Sequence, residues 1–153
     1  MATRARIGIE NADGSITTSY HHWDGYPAGL GFNLVTNWNT AEKIAPAIAL
    51  GDASSWSSEV GTKVDFNDRE AAKTQNIYYG RDRGESNVDP KIYDTYAVFE
   101  KSFMRRTPAG EQYAYVLRQD GTWTMINVYG KTVTHNAEDT IVAAHQRMLE
   151  LVA

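Results

Sequence analysis

The sequence contains no cysteine and no apolar stretch of the roughly 20 residues that a membrane-spanning helix requires. Without cysteine, the chain can form no disulfide, no thiolate nucleophile and no zinc site of the cysteine type. The first four residues, Met1-Ala2-Thr3-Arg4, are followed by no apolar segment, so we expect no signal peptide. These features predict a protein without a membrane partner and suit a reducing cytoplasm.

A concentrated basic surface is also missing. The chain has 15 Lys and Arg against 19 Asp and Glu, a formal net charge of -4, and its longest basic run is Arg105-Arg106. Proteins that bind duplex nucleic acid usually depend on a basic face, because counterion release drives the association. We therefore expect no binding to duplex nucleic acid. The charge pattern does not exclude a pocket for a single nucleotide.

The common catalytic signatures are absent as well. The sequence has no Walker loop, no Gly-x-Gly-x-x-Gly after a strand, no Gly-x-Ser-x-Gly and no His-Glu-x-x-His. Of its four histidines, His21 and His22 face opposite sides of a predicted strand, while His135 and His145 lie far along the chain. We expect no metal and no cofactor, and the pattern disfavours the common enzyme classes.

The residues that are present predict one α+β domain over 1–153. Ala5, Ile7 and Ile9 alternate with polar residues ahead of Asp13-Gly14, a dipeptide typical of tight hairpin turns. Asp120-Gly121 lies in the same way between two later strands. We expect an antiparallel sheet built from two hairpins, at about residues 4–23 and 112–129, with helices packed on one face.

Helical spacing of apolar residues recurs in four places. It predicts helices after Pro27, after Thr40, near 96–103 and over 137–152, the last carrying the stripe Ile141, Ala144, Met148 and Val152. Residues 51–75 are rich in Ser, Asp, Gly and Lys and predict a long surface excursion. Residues 80–85 predict a glycine-bounded loop after a short strand.

A polar and aromatic cluster, residues 22–27, follows the first hairpin. If the strand persists to Asp24, then Tyr20, His22 and Asp24 point the same way. An aspartate beside a histidine can orient it as a general base, so His22 and Asp24 are the catalytic candidates. The alternative is structural: Trp23 and Tyr26 pack in the core while Asp24 caps the helix that begins at Pro27.

A second cluster follows Tyr79. Arg81, Asp82, Arg83 and Glu85 lie between Gly80 and Gly84, so the backbone could turn closely around an anion. Either arginine could donate a forked pair of hydrogen bonds to a phosphate or a carboxylate. The alternative is a solvated loop whose charges cancel.

The order of several motifs resembles a widespread family of small proteins of tailed bacteriophages. In chain order the motifs are Arg6-Ile7-Gly8-Ile9-Glu10, Asp13-Gly14-Ser15-Ile16, His22-Trp23-Asp24-Gly25-Tyr26-Pro27, Ile48-Ala49-Leu50-Gly51-Asp52-Ala53-Ser54-Ser55, Tyr79-Gly80-Arg81-Asp82-Arg83-Gly84-Glu85, Glu111-Gln112-Tyr113-Ala114-Tyr115 and Asp120-Gly121-Thr122-Trp123. The resemblance covers roughly residues 4–123. Many members of the family end soon after the second hairpin, so the helix at 137–152 looks like an addition to the family core. It implies a protein of the infected host's cytoplasm or of the virion, and small phage proteins of this kind commonly act on host takeover or host defence.

The leading hypothesis is a non-enzymatic phage accessory protein that sequesters a small anionic, nucleotide-like molecule. The candidate ligand-binding residues are His22, Trp23, Asp24, Tyr26, Tyr79, Arg81, Asp82, Arg83 and Glu85. One alternative is a protein-interaction module that inhibits a host enzyme, packs in the virion or forms a homo-oligomer. Another is a hydrolase that uses His22 as base and Asp24 as its orienting group.

Overall fold

The computed structural model describes residues 2–107 and 110–152; Met1, Pro108, Ala109 and Ala153 lie outside the described residues. The strands are β1 (Arg4–Glu10), β2 (Ile16–His21), β3 (Ala53–Ser55), β4 (Ile77–Tyr78), β5 (Lys91–Tyr93), β6 (Glu111–Leu117), β7 (Trp123–Asn127) and β8 (Thr132–Thr134). The helices are a π-helical turn (Pro27–Gly31), α1 (Phe32–Asn37), α2 (Ala41–Ala49), α3 (Arg69–Ala72), α4 (Tyr79–Arg83), α5 (Tyr96–Met104) and α6 (Glu138–Val152). In this part of the chain no helix is both long and apolar enough to cross a membrane.

All these strands form one sheet in the order β4-β3-β2-β1-β6-β7-β8, with β5 paired to the start of β2. Both predicted hairpins are present, since β1 pairs with β2 and β6 pairs with β7 in antiparallel register. The hairpins join through β1 and β6, which run parallel, and β2 and β3 are also parallel. The α+β class and the mostly antiparallel sheet are therefore confirmed.

The two hairpins close with the same turn chemistry. Gly14 and Gly121 adopt left-handed φ values of 88° and 86°, which glycine reaches without steric cost. The preceding aspartates accept hydrogen bonds from backbone N–H groups two residues on, at 3.0 Å in both turns. The Asp-Gly dipeptides thus fix where each hairpin reverses.

Helices cover the first face of the sheet, as the sequence predicts. Ala5, Ile7 and Ile9 of β1 pack there against α1, α2 and the start of α6 in one continuous core. Ile141 of α6 is fully buried in this core, and the His145 ring stacks on Phe32 with 3.6 Å between centroids. The first turn of α6 is consequently part of the same core as the hairpins.

The second face carries an additional helix. Phe99 and Phe103 of α5 are fully buried against Ile16, Val116 and Ile126, which point away from the first core. Because both faces of β6 and β7 carry apolar residues, one layer of helices cannot bury them all. The sheet therefore lies between two helical layers of unequal size.

Two segments that the sequence predicts as irregular contain regular structure. The excursion at residues 51–75 begins with β3, a three-residue strand without the apolar alternation that marks β1. The predicted loop at 80–85 is instead the short helix α4, which ends at Gly84 in a left-handed conformation with φ 75°. In both places contacts with distant parts of the chain stabilise a regular structure that the local sequence pattern does not predict.

Candidate functional site

The two clusters predicted from the sequence lie at one edge of the sheet. The backbone N–H groups of His22 and Trp23 donate to the carbonyls of Ala53 and Ser54, at 3.1 and 3.0 Å, so they continue the pairing of β2 with β3. Ala53 in turn pairs with Tyr78 at the end of β4. The segments that contain His22 and Tyr79 therefore flank β3 from either side.

Trp23 forms a wall shared by two clefts at this edge. Its side chain is 48 % exposed, so it does not pack in the core as the structural alternative predicts. We call the first cleft the arginine cleft; it has a volume of about 280 Å³ and is lined by Trp23, Ser54, Ser55, Phe66, Asn67, Asp68, Arg69, Ala72 and Ile77. We call the second the serine cleft; it has a volume of about 290 Å³ and is lined by His21, Trp23, Asp24, Gly29, Leu30, Asn33, Asn37, Ser55, Trp56, Ser57 and Ser58.

The arginine cleft presents an available cation. The Arg69 side chain is exposed and makes no hydrogen bond or ion pair with any of the described residues. The neighbouring Asp68 carboxylate is already engaged, because its Oδ1 accepts from the N–H groups of Glu70 and Ala71 at the start of α3. An anion in this cleft would therefore meet an unpaired guanidinium.

His22 is paired with a phenol. The Tyr20 hydroxyl lies 2.6 Å from His22 Nδ1, and burial followed by the nearby Arg4 charge lowers the His22 pKa. Burial raises the pKa of Tyr20 to about 12, so the phenol donates and the neutral imidazole accepts at Nδ1. His22 also meets Trp23 edge-on, with 4.7 Å between ring centroids.

The predicted pairing of His22 with Asp24 is not formed. β2 ends at His21, and Asp24 has a left-handed φ of 57°, which rotates its side chain out of the strand register. Its carboxylate makes no hydrogen bond or ion pair with any described residue. The turn at Pro27–Gly31 has no side-chain cap, so Asp24 is not the helix cap either.

Tyr26 lies beside this turn rather than in the core. Its ring is half-buried and close to Gly29, where an added Cβ would meet Tyr26 Cε2 at 3.0 Å and the Asp24 carbonyl oxygen at 2.6 Å. The neighbouring Gly25 carbonyl accepts a 2.8 Å hydrogen bond from the buried Tyr115 hydroxyl. Tyr26 therefore packs against the turn at Pro27–Gly31.

Arg81 points inward, contrary to its predicted role as an anion contact. Its Nε donates to Asp82 Oδ1 at 3.0 Å, and its Nη atoms donate to the carbonyls of Val60 and Asn76 at 3.0 and 2.9 Å. Only 14 % of the Arg81 side chain is exposed. The helix α4 turns the Arg81 guanidinium toward residues 57–76, where the two carbonyl groups accept its hydrogen bonds.

Asp82 is the other half of this buried pair. Its carboxylate, with a fully buried side chain, accepts the backbone N–H groups of Tyr78 at 2.8 Å and Val64 at 3.1 Å. A buried carboxylate is stable only where hydrogen bonds and an opposite charge replace water. Asp82 is therefore a structural anion and is not available to a ligand.

Arg83 and Glu85 remain at the surface. They form an ion pair in which half of the Arg83 side chain is exposed. The Arg83 guanidinium also lies over the rings of Phe66 and Tyr79, at 4.3 and 5.0 Å from their centroids. Burial raises the pKa of Tyr79, and the nearby Arg83 charge opposes that rise. Phe66 thus links this cation to the arginine cleft.

Two buried polar atoms next to the serine cleft lack partners. His21 Nε2 lies 2.6 Å from the Trp23 carbonyl oxygen, which can only accept, so Nε2 carries the proton. Burial lowers the pKa of His21 to about 4. Its Nδ1 is therefore a bare acceptor, and neither this atom nor Trp56 Nε1 has a hydrogen-bond partner among the described residues.

Two larger clefts, of about 380 and 440 Å³, lie at the opposite end of the first hairpin. They share Arg118, whose guanidinium pairs with Glu10 at 3.1 Å and lies 3.9 Å from the Tyr96 ring centroid. The Arg118 guanidinium is thus already paired within the protein. Among residues 2–107 and 110–152 there is no group of three or more side chains that could hold a metal ion.

A scan against protein-family models finds no match for this chain, and searches of the curated proteins and of the solved structures find none either.

Sequence reasoning missed several residues of the two clefts. Arg69, Ser55 and Trp56 lie in the segment predicted as a surface excursion, and Asn33 lies on the helix predicted after Pro27, where the apolar spacing carries no information about polar side chains. The segment Ser54-Ser55-Trp56-Ser57-Ser58 is a signal that could have found the serine cleft, because it combines a large aromatic ring with several hydroxyl groups.

The inward orientation of Arg81 predicts different costs for two neighbouring substitutions. Arg81→Gln leaves the Asp82 carboxylate buried without its cation and should lower the free energy of unfolding by roughly 3 kcal/mol. Arg83→Gln removes a half-exposed pair and should cost less than about 1 kcal/mol. Urea unfolding followed by tryptophan fluorescence measures both, and equal costs would contradict the structural role of Arg81.

The buried His21 predicts acid sensitivity. The unfolded chain protonates this imidazole near pH 6.5, whereas the folded chain does so only near pH 4. The free energy of unfolding should therefore fall by roughly 3 kcal/mol as the pH decreases through that window. Urea unfolding at pH 7.5, 6.0 and 5.0 gives the free energy of unfolding as a function of pH, and this dependence should be weaker in His21→Gln than in the wild type. Some dependence should remain in the variant, because the pKa of His22 is also lowered. An unchanged slope would contradict this assignment.

Proposed function

We propose that the protein binds a small, anionic, nucleotide-like ligand and does not transform it. The observation that carries this proposal is the arginine cleft, where the exposed indole of Trp23 and the unpaired Arg69 guanidinium line one concavity. A planar ring and a fixed negative charge on the same small molecule would engage both groups. Arg69 takes the place that the sequence assigned to Arg81.

Stacking supplies the first half of the interaction. Base–aromatic stacking contributes roughly 1–3 kcal/mol per base and tolerates different bases, since every base has a π-face. The Trp23 ring meets the His22 ring edge-on, and its backbone N–H donates to the Ser54 carbonyl. These contacts restrict the motion of Trp23 before a ligand binds, which lowers the entropy cost of stacking.

Charge supplies the second half. Arg69 forms no ion pair with the described residues, and the Asp68 carboxylate in the same cleft already accepts two backbone N–H groups through its Oδ1. A guanidinium donates forked hydrogen bonds to phosphate oxygens and is always charged at neutral pH. Because the chain as a whole carries a net charge of -4, this local cation is a specific feature rather than part of a basic surface.

The biological setting of the proposal comes from the resemblance to tailed-phage proteins. In that setting the protein would act in the infected host's cytoplasm and remove a nucleotide-derived signal by binding it, which counters host defence. The absence of a His22–Asp24 hydrogen bond favours binding over hydrolysis.

Isothermal titration with ATP, NAD and cyclic dinucleotides tests the proposal, with product analysis of each mixture by chromatography. At least one ligand should bind without being converted. Trp23→Ala should weaken that binding about 10-fold or more through lost stacking. Arg69→Gln should weaken it by a similar factor and reduce its dependence on salt.

Matched controls remove the same chemistry elsewhere. Tyr129→Ala deletes an aromatic ring that is 59 % exposed far from the cleft, and Arg105→Gln neutralises another exposed arginine. Neither should change affinity. If the controls weaken binding as much as Trp23→Ala and Arg69→Gln do, the ligand does not occupy the arginine cleft. Turnover that His22→Ala abolishes would favour the hydrolase instead.

A second candidate function, protein interaction, rests on the end of α6. Met148 and Val152 are 39 % and 77 % exposed and continue the apolar stripe of Ile141 beyond the core, and Leu149 at the side of this stripe is 46 % exposed. Apolar side chains at such exposure commonly mark a contact surface. Their partner would be a second copy of this chain or a host protein.

Light scattering coupled to size exclusion, over a hundredfold range of concentration, tests the self-association form of this candidate. The wild-type protein should gain mass with concentration, and Leu149→Ser with Val152→Ser should remain monomeric. Gln146→Ser, a change on the polar side of α6, is the control and should behave as wild type. A monomeric wild-type protein at every concentration would contradict self-association.

A further inference from the structure

The charge balance of the arginine cleft limits the charge of a ligand. Its lining contains one cation, Arg69, and one anion, Asp68, which precedes it in the chain. Asp68 Oδ1 accepts from the N–H groups of Glu70 and Ala71, at 3.1 and 3.0 Å, and these hydrogen bonds leave the negative charge of the carboxylate in place. The cleft therefore presents one positive charge that attracts an anion and one negative charge that repels it.

Two further cations near the cleft are already paired. The Arg83 guanidinium, which lies 4.3 Å from the centroid of the Phe66 ring, forms an ion pair with Glu85. Lys73, the C-cap of α3, pairs with Glu70 at 2.9 Å. Because each of these cations is accompanied by a carboxylate, a phosphate chain with several charges would gain little from either pair.

The volume of the arginine cleft limits the part of a ligand that it can enclose. About 280 Å³ lies at the lower end of the range for ligand sites, which begins at roughly 300 Å³. Trp23 supplies the exposed indole on which one base can stack. In a dinucleotide the second nucleoside would lie outside these walls and gain no contact with them. The lining therefore suits one nucleoside and the phosphate attached to it.

We infer that the arginine cleft selects a mononucleotide whose phosphate is a cyclic diester with a single negative charge, and that Asp68 sets this selection. A phosphodiester carries one negative charge, whereas a phosphate monoester carries roughly 1.5 to 2 at neutral pH. Arg69 neutralises the first charge, and Asp68 repels each further one. The inference rests on the proposed nucleotide binding and specifies its class, which includes the 3′,5′-cyclic and 2′,3′-cyclic nucleotides.

A series of ligands that differ in charge gives the test. Titration calorimetry compares, for each of the four common ribonucleosides, the uncharged nucleoside, its two cyclic monophosphates and its 5′-monophosphate. For the base that binds best, one of the cyclic forms should bind about 10-fold more tightly than the nucleoside, because its phosphate bonds to Arg69. It should bind about 5-fold more tightly than the 5′-monophosphate, because Asp68 repels the second charge.

Asp68→Asn should raise the affinity for the 5′-monophosphate to about that for the cyclic form. Asparagine caps helices as well as aspartate does, so α3 should still form in this variant. Asp65→Asn is the control, because Asp65 is exposed and lies outside the lining of the cleft. The asparagine oxygen can still accept from the Asn67 N–H group, as Asp65 does at 2.8 Å. This control should keep the preference of the wild type.

A 5′-monophosphate that binds the wild type as tightly as the cyclic forms would overturn the inference and leave nucleotide binding in place. A preference for the cyclic forms that persists in Asp68→Asn would do the same, and so would binding of ATP, NAD or a cyclic dinucleotide without binding of any cyclic mononucleotide. If neither this series nor those three ligands bind, the nucleotide proposal itself fails, and the inference fails with it.

Discussion

The buried ion pair of Arg81 and Asp82 fastens the long 57–76 segment to the end of β4. Asp82 accepts the N–H groups of Tyr78 and Val64, while Arg81 donates to the Val60 and Asn76 carbonyls. One wall of the arginine cleft is part of that segment. A pair of this kind contributes less to net stability than to fixing one arrangement of the chain, since losing either partner leaves a charge without water. The geometry of the candidate site depends on it.

The hairpins and most helices could be predicted because their residues obey local rules: Asp-Gly turns, alternation in β1 and helical spacing ahead of Trp38. Thr40 and Thr95 cap their helices as such patterns favour. The three-residue β3 could not be predicted, since its reason to exist is its neighbours β2 and β4. The same holds for the parallel pairing of β1 with β6, which no local pattern encodes.

The candidate site was predictable in its aromatic half and not in its charged half. Trp23 lies at the junction between the first hairpin and the helix predicted after Pro27, and its exposure is consistent with that position. Arg81 and Arg83 are two residues apart and look equivalent in sequence, yet α4 turns one inward and leaves the other at the surface. Arg69 lines the arginine cleft only because α3 lies across from Trp23. The sequence alone therefore could not show which of these arginines are exposed and which are buried.

The central claim is that Trp23 is the surface on which a nucleotide stacks. The indole N–H resonances of the four tryptophans test it most directly, with Trp23 assigned from a Trp23→Phe variant. During titration with the best-binding nucleotide, the Trp23 resonance should shift. The Trp123 resonance should not shift, because Trp123 Nε1 donates to Asn39 at the opposite end of the first hairpin. A shift of Trp123 with Trp23 unmoved would contradict the account.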